Sequence, residues 1–408
     1  MRSLRAIFFL SVLFASVGTV SVDLYLPSLP AIANSLHTTI SLTQLSVALF
    51  ILGLSIARLT VATISDAVGR KMPIIISLVI CLGGCFLCLC ANNIQVLLLG
   101  RFLQGFGAGG SNILARIILR DCAEDTRLAE YNSYFSMVGV SLMAIAPLLG
   151  GYLQHYFGWR ANFVVLLFYT VIALLCGIFF LPETNKYRNV GCLKPIVFKS
   201  SVKALFVDKS FIIYALLLMF GYGSLLAWLT AGPIVLQKVM LLTPVGFGWC
   251  AAVVGFCYFI GAFINSKLVG KVGIQKMLQF GVTCFFISGI VMLITVLVFH
   301  RISTVAFVGP VMFAFFGVSM LIPNSYAAGL TPFAKTAGIA VAILGSIQIL
   351  GGVISSTFIS FVSNQSQLPV AIVIFVSALV CIVLVNLLRK NHIKVKSKFD
   401  ESWIGDES

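Results

Sequence analysis

Asp23 is an acid in an apolar setting. It stands in Ser21-Val22-Asp23-Leu24-Tyr25-Leu26-Pro27, at the end of a mostly apolar stretch. A charge in hydrocarbon costs roughly 2.5–3.5 kcal/mol on insertion scales, so a membrane acid is a functional-site candidate by default. Its natural chemistries are carrying a proton and neutralising a cation. Arg101 is the natural partner. Its planar guanidinium stays charged and can fork onto a carboxylate or backbone carbonyls. An arginine near Asp23 would offset the effect of desolvation on the ionisation of the acid. Two plainer readings stay open. Asp23, four residues from Pro27, could be a wet interface residue, and Arg101 could simply hold two helices together.

The elements that position these residues are membrane spans. The chain has 408 residues, 60% hydrophobic and 10% charged, with a mean hydropathy of +1.08. A soluble domain is about 25% charged. Apolar runs long enough to cross about 30 Å of hydrocarbon recur throughout. Twelve are expected, at about 6–28, 43–65, 73–90, 95–117, 132–153, 161–182, 210–232, 245–267, 276–299, 304–325, 337–362 and 368–389. The fourth, eighth and eleventh are interrupted by glycine. The fold class expected is all-α, twelve transmembrane helices in two six-helix halves. The halves are 1–182 and 210–389, with a central loop 183–209 and a polar, disordered tail 390–408. The first run mimics a signal peptide, but it outlasts the usual apolar core and carries Asp23, so an uncleaved span is expected.

The net charge of +15 would suggest nucleic acid in a soluble protein. Here 22 of the 27 Lys and Arg fall at the N-terminus, in even-to-odd loops or in the tail, and three (Arg160, Lys238, Arg301) in the opposite loops. That bias places both termini in the cytoplasm and the basic surface against lipid, with no nucleic-acid partner. The eleven cysteines show no disulfide or metal spacing. Cys81, Cys85 and Cys88 share a helix face, as packing residues between helices do. No cofactor, metal site or catalytic set is expected, and the chain reads as no enzyme.

A faint internal repeat runs through the chain. Ser65-Asp66-Ala67-Val68-Gly69-Arg70-Lys71 matches Gly270-Lys271-Val272-Gly273-Ile274-Gln275-Lys276, with Gly69 and Gly273 separated by 273 − 69 = 204 residues. Pro27 and Pro233 punctuate the first and seventh spans in the same way. Two parallel halves with a site between them near the midplane is a transporter plan. In the first of these turns Gly69 permits a positive φ. Asp66 can accept hydrogen bonds from a helix start or pair with an arginine. Arg116, Arg120 and Asp121 close the fourth span, and Arg116 is a candidate partner for Asp66 across an inner gate. Snorkelling is the plainer reading of these arginines.

Several motifs together resemble a known family. The turn resembles the major facilitator superfamily signature Gly-x-x-x-Asp-Arg-x-Gly-Arg-Arg, and Arg101-Phe102-Leu103-Gln104-Gly105-Phe106-Gly107-Ala108 resembles its fourth-span motif. The segments Asp23 to Pro30, Ala115 to Asp121, Pro147-Leu148-Leu149-Gly150-Gly151, Gly158-Trp159-Arg160 and Leu181-Pro182-Glu183-Thr184 are similar to the bicyclomycin-resistance branch of drug/proton antiporters. The strong matches cover about residues 20–185. There are departures. Ala67 replaces the family's Arg, Ala62 its first Gly, and Ala146 the Gly before Pro147. Arg58, two helical turns from Asp66, is a candidate to supply the missing charge.

The resemblance implies a monomeric bacterial inner-membrane antiporter that exchanges protons for a small molecule. Asp23 and Arg101 would couple the proton, and Tyr25, Gln104, Tyr222 and Trp228 would line the substrate cavity. Asp66, Gly69, Arg70, Arg116, Asp121, Pro147, Gly150 and Gly151 would gate it. A lone membrane acid suits neutral or cationic lipophilic compounds. Two alternatives remain open: export of an endogenous metabolite or siderophore, and a non-transporting sensor on the same fold.

Overall fold

The structure, a computed structural model, describes residues 4–122, 125–185, 205–298, 303–362 and 366–404. Most of the central loop, 186–204, lies outside the described residues. Twelve long helices follow the expected spans. They are α1 (Leu4–Asp23), α2 (Ile40–Val68), α3 (Lys71–Leu89), α4 (Ile94–Cys122), α5 (Asp125–Phe157), α6 (Trp159–Phe180), α7 (Lys209–Ile234), α8 (Pro244–Val272), α9 (Ile274–Val298), α10 (Thr304–Leu330), α11 (Ala337–Val362) and α12 (Leu368–Ile404). Eleven candidate spans are apolar enough to cross a membrane. The twelfth helix, α4, is long enough but too polar, because it carries Arg101, Gln104, Asn112 and Arg116. It tolerates Arg101, Gln104 and Asn112 because α1, α2 and α3 surround it and bury them.

Local chemistry sets the ends. Thr39 caps α2 by accepting the Leu42 N–H at 3.3 Å, Thr243 caps α8 through Gly246 N–H at 3.0 Å, and Asp208 caps α7 through Phe211 N–H at 2.8 Å. Gly69 ends α2 at φ +110° and Gly273 ends α8 at φ +91°, a left-handed turn that glycine adopts freely. The repeated glycines thus do the same job in each half. Pro27 has no N–H to offer the Asp23 carbonyl, so α1 stops at Asp23. The chain then runs through a tight turn, Leu26–Ser28, and a short helix, Leu29–Ser35. Pro233 marks the matching place, where α7 widens into a π-helical stretch, Val235–Val239.

The tail differs from expectation. α12 continues past the apolar run to Ile404, because no Gly or Pro intervenes between Arg389 and Ile404 to stop it.

In the first half α4 is central. In the second α10 holds the matching place against α7, α8 and α9. The halves meet along two pairs, α2 against α11 and α5 against α8, which the internal repeat relates to each other. Three hydrogen bonds join the halves among the described residues: Gln44 Nε2 to Thr230 O (3.1 Å), Gln237 Nε2 to Pro27 O (2.9 Å) and Lys238 Nζ to Asn34 Oδ1 (3.1 Å). All lie at the end that carries the α1–α2 and α7–α8 connections. That end is closed.

Candidate functional site

Asp23 sits where α1 breaks, 3% exposed, and its Oδ1 has no hydrogen-bond partner. It is therefore a buried residue, not a wet one. Tyr222, on α7 of the other half, is within electrostatic reach of Asp23 and also of Arg58.

Arg101 does not pair with Asp23: among the described residues no ion pair involves either. Its Nη1 donates to Ser21 O (3.0 Å) and Gln104 Oε1 (2.5 Å). The guanidinium lies over the Tyr25 ring at 3.9 Å and the Phe50 ring at 4.3 Å. Two aromatic faces and two carbonyl oxygens can hold a desolvated cation without a carboxylate. The expected tuning partnership thus becomes a packing one: Arg101 fixes the backbone two residues before Asp23.

This arrangement also relocates the expected cavity residues. Tyr25 is fully buried, its hydroxyl 2.6 Å from Ser46 Oγ. Gln104 is fully buried, donating to Cys85 Sγ at 3.0 Å. Both belong to the shell around Arg101 and offer no open surface in this state. Trp228 is 1% exposed and packs on Phe307, centroids 5.3 Å apart. Its half carries an aromatic pair where the first half carries the polar cluster. Tyr222 alone of the four is only half-buried.

A second polar cluster lies deeper along α2 and α4. Arg58 Nη2 donates to Asn112 Oδ1 at 2.8 Å, and Asn112 Nδ2 donates to Ala15 O at 3.0 Å. Arg58 is not the charge that completes the α2–α3 turn, because Asn112 holds it. Arg116, one turn beyond Asn112, is exposed to water and stacks on Phe135 at 4.7 Å. Tyr326 Oη donates to Gln348 Oε1 at 2.7 Å.

At the α2–α3 turn the partner of Asp66 is Arg70, not Arg116. Arg70 Nη1 is 2.5 Å from Asp66 Oδ1, and its Nε donates to Asp121 Oδ2 at 3.0 Å. Arg116 instead lies over the Phe135 ring of α5. Burial disfavours the Arg70 charge, but Asp66 and Asp121 outweigh it and hold the guanidinium above its ordinary range. Glu183, just beyond α6, was unassigned in the sequence. Its carboxylate accepts the N–H groups of Arg70 (2.8 Å) and Lys71 (3.3 Å) at the start of α3. Partial burial pushes its carboxyl up, yet these bonds and those from Asn185 and Thr184 hold it below the usual glutamate range. A Cβ at Gly69 would meet the Glu183 carboxylate at 2.5 Å and push the tip of that side chain from its place at the start of α3, while the positive φ itself favours glycine.

The α5 motif stands where α5 approaches its neighbours. A Cβ on Gly150 would collide with Leu24 O of the same half. A Cβ on Gly151 would meet Pro244 O of the other half at 2.5 Å. Pro147 O and Leu148 Cα face Gly248 of α8.

Residues 7–327 match the sequence model of the Major Facilitator Superfamily.

The chain belongs to the major facilitator superfamily.

It is similar to an uncharacterized MFS-type transporter of Bacillus subtilis, 28% identical over 92% of this chain and 93% of the relative. A bicyclomycin resistance protein homolog of Haemophilus influenzae is 25% identical over 91% and 93%. Multidrug resistance protein D of Escherichia coli is 27% identical over 85% and 86%. The superfamily is one of multi-pass membrane transporters, not of enzymes, which accords with the twelve long helices and their two halves.

Proposed function

We propose that this protein is a proton-coupled exporter of small lipophilic compounds, working by alternating access as the two halves rock about a central site. Residues 1–182 and 210–389 would form the halves, joined by a cytoplasmic segment 183–209. The charge bias supports a bacterial inner-membrane monomer with both termini cytoplasmic. The export direction rests on the named relatives, one a bicyclomycin resistance homolog and one a multidrug resistance protein.

One observation carries the proton assignment: Asp23 is a buried carboxylate with an unpartnered oxygen at the break of α1. Ionised, it is uncovered; protonated, or facing a cationic group, it is not. Either occupant relieves the same charge, so proton and substrate exclude each other, which is the condition for exchange. Arg101 positions this break through the Ser21 carbonyl. The turn around Arg70 and Glu183 ties α2, α3, α4 and α6 together, so that the first half moves as one body.

The test is pH-gradient-driven ethidium efflux from inverted vesicles. Asp23→Asn should lower the gradient-driven rate more than tenfold while the protein stays folded. A wild-type rate in that variant would sink the proposal. Genomic deletion phenotypes separate drug export from export of an endogenous metabolite or siderophore. Substrate-induced proton release in detergent separates a transporter from a sensor.

A further inference from the structure

The two interrupted spans meet at the closed end. α1 stops at Asp23, and α7 widens after Pro233 into the π-helical stretch Val235–Val239. Single π turns are rare and collect at functional sites. Gln237 stands in this one. Its Nε2 donates to Pro27 O at 2.9 Å, so the widened end of α7 is tied to the chain four residues past Asp23.

The segment from Ser21 to Ser28 is otherwise held by its own half. Arg101 Nη1 donates to Ser21 O at 3.0 Å, the Tyr25 hydroxyl is 2.6 Å from Ser46 Oγ, and Ser28 Oγ donates to Gln154 Oε1 at 2.9 Å. Leu24 N–H donates to Val20 O at 3.0 Å and Ser28 N–H to Tyr25 O at 2.9 Å, so the chain between Asp23 and Pro27 is one tight turn. Leu24, Tyr25, Leu26 and Ser28 are buried, and Gly150 comes so close to Leu24 O that no Cβ fits. A close-packed turn has no slack and passes strain along its length. Among the described residues, the Gln237 bond is the one hydrogen bond that reaches this segment from the second half.

The closed state also discriminates between the two forms of Asp23. It leaves the acid 3% exposed with an unpartnered Oδ1, and a bare carboxylate is costly there. Opening this end admits water to the break and removes that cost. By linkage, neutral Asp23 favours closure by the same factor that closure favours neutral Asp23.

We propose that Gln237 is the positioning residue that carries this linkage between the halves, holding the Asp23 turn at Pro27 O and tying it to the closed position of α7. Gln44, whose Nε2 donates to Thr230 O at 3.1 Å, latches the same end with no hydrogen bond to that turn. The inference rests on the exporter reading, which makes Asp23 the proton site.

The test uses full-length protein in nanodiscs, with nitroxide labels on cysteines at Ser35 and Leu241, exposed positions at the closed end, in a background without other reactive cysteines. Electron–electron distance distributions give the ratio of closed to open protein. Asp23→Asn should raise that ratio about fivefold, the lower end of coupling between two sites. In Q237M, which keeps the size of the side chain and loses the donor, the same change should move the ratio less than about twofold. Q44M should lower the ratio about two- to tenfold, the range of one hydrogen bond, and keep the full response to Asp23→Asn. Q237K restores a donor and should restore part of the response.

An undiminished response in Q237M overturns the inference, as does the absence of a response in protein with Gln237 intact. Equal loss of the response in Q44M and Q237M overturns it as well, because both would then be plain latches. The two proposals fail separately. Asp23-dependent ethidium efflux with an undiminished response in Q237M removes this inference alone. A Gln237-dependent response without any gradient-driven efflux removes the exporter reading and leaves the link between Asp23 and closure standing.

Discussion

The carboxylate of Glu183 accepts the backbone N–H of Arg70 at 2.8 Å, joining the end of α6 to the start of α3 across 113 residues. An anion at a helix N-terminus contributes about 0.3–1 kcal/mol at the surface. Glu183 is exposed, which places it toward the lower part of that range. The carboxyl is held below its ordinary range in the folded protein, so its contribution is present above the unfolded glutamate range and is lost as pH falls through the folded value. Glu183→Gln should lower the thermal midpoint at pH 7. The gap to wild type should close on acidification below about pH 4, the ordinary glutamate range. A constant gap across that window in paired melting curves would contradict the assignment.

Arg70 is 6% exposed and Asp121 18%, whereas Asp66 is 46% exposed. The better-buried pair should matter more. Asp121→Asn should destabilise by about 1–3 kcal/mol and Asp66→Asn by under about 1 kcal/mol. Denaturation of the two variants in detergent gives the order directly, and the reverse order would reject this reading of the turn.

Arg101 is held by ring faces and carbonyl oxygens, so its shape counts as much as its charge. Arg101→Lys keeps the charge but loses the planar stack over Tyr25 and Phe50. It should cost about 1–3 kcal/mol of stability and reduce transport at least as much as Tyr25→Phe, which removes only the bond to Ser46. Wild-type stability in the lysine variant, measured by thermal unfolding, would show that charge alone is needed.

Gly150 and Gly151 are adjacent but answer to different neighbours. Gly150→Ala forces α5 from Leu24 within one half, so it should lower stability. Gly151→Val forces α5 from Pro244 of the other half, so it should disfavour this closed state more than the fold. Cysteines at Asn34 and Lys238, joined by a short dimaleimide in a background without other reactive cysteines, report that closure. Their cross-linking should fall in Gly151→Val and hold in Gly150→Ala.

Periodicity and apolar length made the spans legible, because hydrocarbon thickness and backbone hydrogen bonding leave a helix few alternatives. The glycine pair 69 and 273 was legible for a similar reason, since a tight helix reversal with positive φ selects glycine. Partnerships were less legible. Asp66 was given Arg116, on another helix, as its candidate partner, whereas Arg70, four residues away, takes it. Glu183 carried no signal beyond its motif, because its bonds go to backbone N–H groups that leave no trace in side-chain identity. The tail after Arg389 read as disordered from its polarity, and absence of a breaker prevailed instead.

The sequence by itself determined the membrane spans, the doubled plan, the family and the acid at the end of the first span, Asp23. Each follows from local composition or from motifs within a single turn. The tertiary structure alone decided that Arg101 faces aromatic rings rather than Asp23, that Arg70 rather than Arg116 takes Asp66, and that Arg58 is held by Asn112 rather than by the α2–α3 turn. Such pairings depend on the rotation and depth of one helix against another. Those are set by the closest backbone approaches, such as Gly105 against Phe50 and Gly107 against Cys81, and not by anything a single helix carries in its own sequence.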